Sequence, residues 1–422
     1  MRIRSFRIML IPNNKQLTKL KKYSDVARFA YNWALGKQIE SFENGKGFIS
    51  DKELRKEFTQ LKKLPEYQWL NDVSCDVAKQ AIKDLCNAYI RFMKKRKQQG
   101  YKPYSKKFLE HLKRIGKVPT YYQSNGHPRF KKKNKSTPSF YQDTFKIQFT
   151  STHVKIEGFA NSKKKNKQKV NWIRLAEHNR VPINAKYYNP RITFDGLNWW
   201  ISVGAEVEEN PKMSLNDKGL GIDLGIKDFA ITSDNEIFKN INKSRTIRQL
   251  EKRKRRIQKQ VSKKYLINKK GDSYCKTKNI IKQEKTLLKL NHRLTNIRTN
   301  YLNQTINTVI NRKPRFICIE DLNIKGMMSN KHLSKAVQNQ KLYEFRTKLT
   351  YKCDINQIPL VIADRFYPSS KTCSCCGSIK KDLKLFDRTY ICNTCELIID
   401  RDYNASLNLL KYGENQITQQ IM

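Results

Sequence analysis

Residues 219–234 read GLGIDLGIKDFAITSD. Leu220, Ile222, Leu224 and Ile226 are the apolar residues of a buried strand, yet a lone carboxylate, Asp223, sits among them. An ionised carboxylate is costly to bury without a partner, so such a residue is usually paired, hydrogen-bonded or holding a metal. After this strand comes a basic helical run, IRQLEKRKRRIQKQVSKK at 247–264, and then an amphipathic helix marked by Leu287, Leu290, Leu294, Ile297, Tyr301 and Ile306. Two more apolar strands follow, RFICIEDLNI at 315–324 and IPLVIADRF at 358–366, with a further helix between them. Strands alternating with helices predict an α/β domain.

Two other acids share the setting of Asp223: Glu320 in FICIEDLN and Asp402 in LIIDRDYNAS. Hydrolysis of a phosphodiester requires a deprotonated water and a sink for the charge that builds on phosphorus. Two divalent ions about 3.5–4 Å apart meet both needs, and carboxylates are the hard ligands that hold them. One strand would fix Asp223 at the sheet centre, a second would place Glu320 beside it, and Asp402 would approach from the start of a helix. Taken singly, an acid after a strand is more often an N-cap or a rim residue. GIDLG also looks like the phosphate-binding turn of actin-like ATPases and sugar kinases. Those proteins usually have Thr or Ser after the second Gly, whereas Ile226 follows here, and no GxGxxG dinucleotide motif occurs.

Five of the ten cysteines crowd into TCSCCGSIKKDLKLFDRTYICNTCELIIDRD. Cys373 with Cys376, and Cys392 with Cys395, form two CxxC knuckles whose separation predicts a zinc ribbon, a closed tetrahedral site that contributes folding energy. Redox CxxC motifs seldom come in pairs. Cys375 is superfluous to such a site. Glu396 is unexpected, because Gly commonly follows the second cysteine of a knuckle to allow φ > 0.

Lys and Arg number 86 against 37 Asp and Glu in 422 residues, a formal charge of +49. Self-repulsion of that size calls for a polyanion, and nucleic acid is the common large one. Three basic stretches are candidate contacts: Arg245 to Lys264, Lys131 to Lys135 and Lys163 to Lys169. No apolar run approaches the roughly 20 residues of a spanning helix. The amino terminus, RIRSFRIMLIP, predicts a strand and not a signal peptide, so no membrane partner is expected.

That strand is followed by Leu17, Leu20, Tyr23, Val26, Phe29 and Trp33 at helical spacing, and by a second helix over SCDVAKQAIKDLCNAYIRFMKKRK. Alternating runs then predict a small β domain, including a hairpin in RITFDGLNWWISV that turns at Asp195 and Gly196.

GIDLGIKDFA, CIEDLNIKGM, YPSSKTCSCCG, the CxxC at Cys392 and DRDYNASLNLL occur in the order seen in TnpB proteins. These are RNA-guided nucleases of insertion-sequence transposons, ancestral to type V CRISPR effectors. Upstream, the first strand, ARFAYNWAL, the HPRFKKK loop and the tryptophan hairpin resemble that family's amino-terminal half. The resemblance implies a multidomain α/β protein: a helical recognition region and a small β-barrel wedge domain, then a RuvC-like nuclease domain of the ribonuclease H fold with an inserted zinc ribbon. The implied boundaries are 1–12 (wedge, first strand), 13–120 (recognition), 121–212 (wedge), 213–368 and 398–422 (nuclease), and 369–397 (zinc ribbon).

It further implies that Asp223, Glu320 and Asp402 are catalytic and hold two Mg²⁺, and it selects Asp402 over Asp400, whose other role is the N-cap of the following helix. Cys373, Cys376, Cys392 and Cys395 would hold one Zn²⁺. The implied partners are a guide RNA from the transposon end and target double-stranded DNA cut beside a short adjacent motif. One protein chain per RNA and a cytoplasmic, nucleoid-associated setting are expected. Alternatives within the same chemistry and beyond it are a compact type V CRISPR effector and a guide-dependent DNA-binding repressor.

Overall fold

The computed structural model describes residues 2–98, 102–120, 123–133, 135–159, 169–209, 213–271, 273–384 and 386–421. The chain divides into two units, Met1–Glu208 and Glu209–Met422.

In the first unit, β1 (Arg2–Ile11) leads through Pro12 and Asn13 into α1 (Asn14–Glu43). Asn13 and Gln16 form a reciprocal capping box with both bonds at 2.9 Å, which satisfies two otherwise orphaned N–H groups. The helices α2 (Asp51–Leu61), α3 (Cys75–Lys97) and α4 (Lys106–Arg114) follow. The strands β2 (Ser139–Tyr141), β3 (Gln148–Phe149), β4 (His153–Lys155), β5 (Trp172–Leu175), β6 (Tyr187–Phe194) and β7 (Trp199–Val207) join β1 in an antiparallel sheet of order β2-β6-β7-β1-β5-β4-β3. The expected barrel is not closed among the described residues, since β2 and β3 are the free edges. Edges of three and two residues are too short to carry a ladder round. Helices bury the sheet instead: Tyr23 of α1 packs against Phe140 and Phe159 and donates to the Glu157 carbonyl at 2.9 Å.

The hairpin also differs from expectation. Phe194 pairs with Trp199, so four residues and not two make the turn. Asp195 holds it, its carboxylate accepting from the N–H groups of Leu197 and Asn198 and from Trp200 Nε1 at 2.6 Å. The basic stretch Lys163–Lys169 lies, save for Lys169, outside the described residues.

In the second unit, β8 (Leu220–Leu224) ends before Ile226, which sits in a turn, and β9 (Asp228–Thr232) returns antiparallel to it. The opening stretch is therefore a hairpin and not one strand. β10 (Ile237–Lys239) pairs with β9. The basic helix α5 (Arg245–Ile267) packs on α6 (Lys278–Asn311) through Ile247, Leu250, Leu290 and Leu294. The two-residue strands β11 (Lys269–Lys270) and β12 (Ser273–Tyr274) join these helices.

β13 (Ile317–Glu320) lies parallel to β8, and β14 (Leu360–Ala363) lies parallel to β13. Between them run α7 (Ile324–Ser329), α8 (Ser334–Gln340) and α9 (Leu342–Asn356). β15 (Thr389–Ile391) and β16 (Ile398–Asp400) form a separate ribbon, and α10 (Arg401–Ile421) completes the unit. The main sheet has the order β10-β9-β8-β13-β14. On one face Leu220, Ile222, Ile317 and Ile319 pack on Ile306, Phe345 and Leu349 from α6 and α9. On the other, Phe316, Cys318 and Ala363 meet Leu409 of α10. Both faces of the sheet are covered, as the parallel strands β8, β13 and β14 at its heart require.

Candidate active site

Side chains alternate along a strand, so Gly221 and Asp223 share the face that α10 covers. A Cβ at Gly221 would lie 2.1 Å from the Ser406 carbonyl oxygen and 2.5 Å from the Leu410 nitrogen. Only glycine lets the helix approach this closely. Asp402 lies one turn before Ser406 on α10, so the contact at Gly221 carries Asp402 toward Asp223. In β13 the pairing of Ile319 with Ile222 sets Glu320 next to Asp223. Sheet register and one helix contact thus bring the three acids within range of one another's charge, while among the described residues the only ligand atoms already clustered for a metal are those of the four cysteines.

Their electrostatics follow from that convergence. Burial raises the Asp223 pKa well above the ordinary carboxylate range, and the charges of Glu320 and then Asp402 raise it further. Among the described residues no donor hydrogen-bonds the Asp223 carboxylate, and the opposing charge that acts on it, Arg401, is engaged by Asp402. The Glu320 pKa is also raised by burial, partly offset by a hydrogen bond from the Ser369 hydroxyl and reinforced by Asp402. Asp402 accepts from Arg401 at 3.0–3.1 Å and lies 3.7 Å from Arg388.

Asp400 has a different task. Its Oδ1 accepts from the N–H groups of Asp402 at 2.9 Å and Tyr403 at 3.0 Å, the pattern of an N-cap on α10.

Four supporting residues were not singled out from the sequence as part of this site: Ser369, Arg401, Asn404 and Asn408. Asn404 and Asn408 are buried. The Asn404 amide donates to the Thr372 carbonyl at 2.7 Å and accepts from the Ser374 N–H at 2.9 Å. Asn408 donates to the carbonyls of Ser369 and Thr372 at 2.8 and 2.6 Å. Two amides four residues apart on one buried helix face were the signal available, because such groups need partners and here bind a loop.

That loop enters the cysteine cluster. The sulfurs of Cys373, Cys376, Cys392 and Cys395 lie within 4.8 Å of one another, with Cys373–Cys395 and Cys376–Cys392 both at 3.6 Å. A disulfide would be far shorter. A tetrahedral zinc with 2.3 Å bonds to sulfur has sulfur–sulfur edges of about 3.8 Å, so the four thiols fit that ion. The Cys392 thiol is lowered to about 5 by the Ser378 hydroxyl and by the backbone N–H groups of Cys395 and Thr394. Thiolate, the form that binds metal, is thereby favoured. Gly377 and Glu396 follow the two knuckles with φ of +77° and +59°; the turn survives although Glu replaces Gly in the second. Cys375 is exposed and stands outside the cluster.

α5 presents Lys252, Arg253, Arg255, Arg256, Lys259 and Lys263 to solvent. Among the described residues no helix is long and apolar enough to cross a membrane.

Three family models match the chain: "Cas12f1-like, TNB domain" over 343–409, "Probable transposase" over 202–331 and "Helix-turn-helix domain" over 1–47. The chain is 24% identical over 427 residues to "Putative RNA-guided DNA endonuclease InsQ" of Escherichia coli (strain K12), spanning 98% of this chain and 92% of that protein. It is 25% identical to a "Putative RNA-guided DNA endonuclease" of Streptomyces pristinaespiralis, over 97% of this chain and 89% of that one. The chain is thus similar to TnpB-type proteins over nearly its whole length. A further relative is "TnpB-like protein L79" of Acanthamoeba polyphaga mimivirus, 30% identical over 48% of this chain and 39% of that protein. The structure titled "Cryo-EM structure of the Cas12f1-sgRNA-target DNA complex" shares the fold, with a TM-score of 0.54 and 12% identity over 97% of this chain and 98% of that one. Within the region matched by the helix-turn-helix model, the described residues 2–47 hold a strand and one unbroken 30-residue helix up to Glu43, and among them there is no helix-turn-helix.

Proposed function

We propose that this protein is an RNA-guided DNA endonuclease of the TnpB type, which cuts target DNA beside a short adjacent motif under the direction of a guide RNA from the transposon end. The observation that carries this is the convergence of Asp223, Glu320 and Asp402, with Asp223 lacking any donor among the described residues. In this reading the second unit is a RuvC-like domain of the ribonuclease H fold, interrupted by a zinc ribbon at 369–397, while the first unit comprises the wedge (1–12 and 121–212) and recognition (13–120) parts.

The three acids are an oxygen-only, hard donor set, and their mutual repulsion is what bound cations relieve. Asp223, Glu320 and Asp402 would hold Mg²⁺, which when bound activates water and offsets charge on the scissile phosphate. The chain's other residues keep these ligands in place. Ser369 orients Glu320, Arg401 orients Asp402, and Asp400 fixes the first turn of α10. Cys373, Cys376, Cys392 and Cys395 would hold Zn²⁺ and so make rigid the loop that supplies Ser369. The exposed cations of α5 suit phosphate backbones, whose contacts position nucleic acid without reading its sequence. Sequence choice then falls to base pairing with the guide.

The test incubates RNA-stripped protein with plasmid and Mg²⁺ alone, with a matched guide and with a scrambled guide. Cutting is expected only with the matched guide and the adjacent motif. Equal cutting in all three would mean an unguided nuclease.

A further inference from the structure

β14 ends at Ala363, the residue paired with Glu320. Six residues later Ser369 donates a hydrogen bond to that same carboxylate. The loop between them begins and ends at Glu320, and Phe366 is its midpoint. Three residues of extended chain span at most about 11 Å, which bounds the distance of Phe366 from either end.

The residues around Phe366 are tied down. The Asp364 carboxylate accepts the Phe366 N–H at 2.8 Å, and Arg365 binds Asp321 at 2.6 Å. The Tyr367 ring packs on Tyr412 with centroids 4.7 Å apart, and its hydroxyl donates to the Asn408 carbonyl at 3.2 Å. The Phe366 side chain is 87% exposed, and among the described residues its ring has no aromatic partner. An anchored backbone thus holds out one bare aromatic ring beside three carboxylates in a chain of charge +49. Proteins that bind single strands combine such rings with positive charge, because every base has a face that stacks.

We propose that Phe366 is a positioning residue that stacks an unpaired base of the DNA strand within a few nucleotides of the scissile phosphate. The role rests on the nuclease reading above. It accounts for an aromatic ring kept in water on a loop whose neighbours are all fixed, and it gives the carboxylates a way to hold a flexible strand in register for cutting. Binding of the target as a whole depends on pairing and on backbone contacts elsewhere, so Phe366 acts on cutting and not on affinity.

The test uses the complete protein–guide complex with Phe366→Ala, Phe366→Leu and Phe366→Trp. Single-turnover cleavage, target affinity and the fluorescence of 2-aminopurine placed near the cut site are measured. The Ala and Leu variants should cut about 5- to 100-fold more slowly, the range expected for one base stack. Target affinity should change less than about twofold, the 2-aminopurine quenching should be lost, and Trp should restore both quenching and rate. Wild-type cutting by Phe366→Ala, or equal losses in the Ala and Trp variants, would overturn the stacking role while leaving the nuclease reading intact. A wild-type complex that binds matched target and never cuts would remove both.

Discussion

Asp223→Asn should make the metal-free protein more stable. Asparagine keeps the shape and removes a charge that is half-buried, faces two other acids and has no donor among the described residues. Burying an unpaired charge costs several kcal/mol; because Asp223 keeps some exposure, relief on the order of 2 kcal/mol is expected. In a unit of roughly 200 residues each kcal/mol moves Tm by about 2–4 °C, so the variant should melt about 4–8 °C higher in EDTA at pH 7.5.

The pH dependence has a definite sign. The folded pKa of Asp223 lies above its unfolded value, as does that of Glu320. Native protein therefore binds more protons between the two values, and wild-type stability falls as pH rises through that window. The advantage of Asp223→Asn should shrink as pH is lowered toward the unfolded value of about 4. Added Mg²⁺ should raise the wild-type Tm and have little effect on the variant, since ligands that bind only the folded state stabilise it. Scanning calorimetry of RNA-free protein across pH, with EDTA or Mg²⁺, measures all of this. A lower Tm for Asp223→Asn in EDTA at pH 7.5, or a gain that ignores pH, would refute the view that three like charges are held together at a cost.

The other expectations are shorter. Asp402→Ala should abolish guided cutting, whereas Asp400→Ala should lose only its cap, about 1 kcal/mol, and still cut; the reverse pattern in a plasmid assay would exchange their roles. Purified protein should contain one zinc per chain, lost with Cys392→Ser and kept with Cys375→Ser, as elemental analysis can determine. Glu396→Gly should stabilise the cysteine-bearing segment by roughly 0.5–1 kcal/mol, because φ of +59° strains an L residue and suits glycine; slower metal loss to a chelator would show it, and faster loss would contradict the strain.

Much of the second unit was legible because its signals are local. The apolar runs ending at Glu320 and near Ala363 are parallel strands, and their length and flanking helices show in the sequence. The four cysteines are equally plain, since two CxxC pairs leave little else to infer. What the sequence concealed was where elements stop and what they pack against. Ile226 continues the apolar alternation, yet the chain turns after Leu224, with the Gly225 N–H closing on the Phe229 carbonyl at 3.2 Å. Strand alternation likewise says nothing about whether the first unit's sheet closes, because closure depends on the pairing of distant edges.

Asp402 shows the same limit at the site itself. Asp400 and Asp402 both stand at the start of a helix, and spacing cannot separate them; only the TnpB resemblance chose. The structure distinguishes their surroundings, because the Asp400 carboxylate is committed to two backbone N–H groups, whereas Asp402 is carried on the helix face that meets Gly221. The same helix grips the loop at Ser369, Thr372 and Ser374 through Asn404 and Asn408. α10 therefore links the carboxylates to the cysteine cluster: one end bears an acid, the next turns hold the loop that bears Ser369, and that loop continues into Cys373. A disturbance of the cysteine cluster should reach Glu320 through Ser369 without altering any carboxylate, which makes the cluster part of the site's construction as well as of its fold.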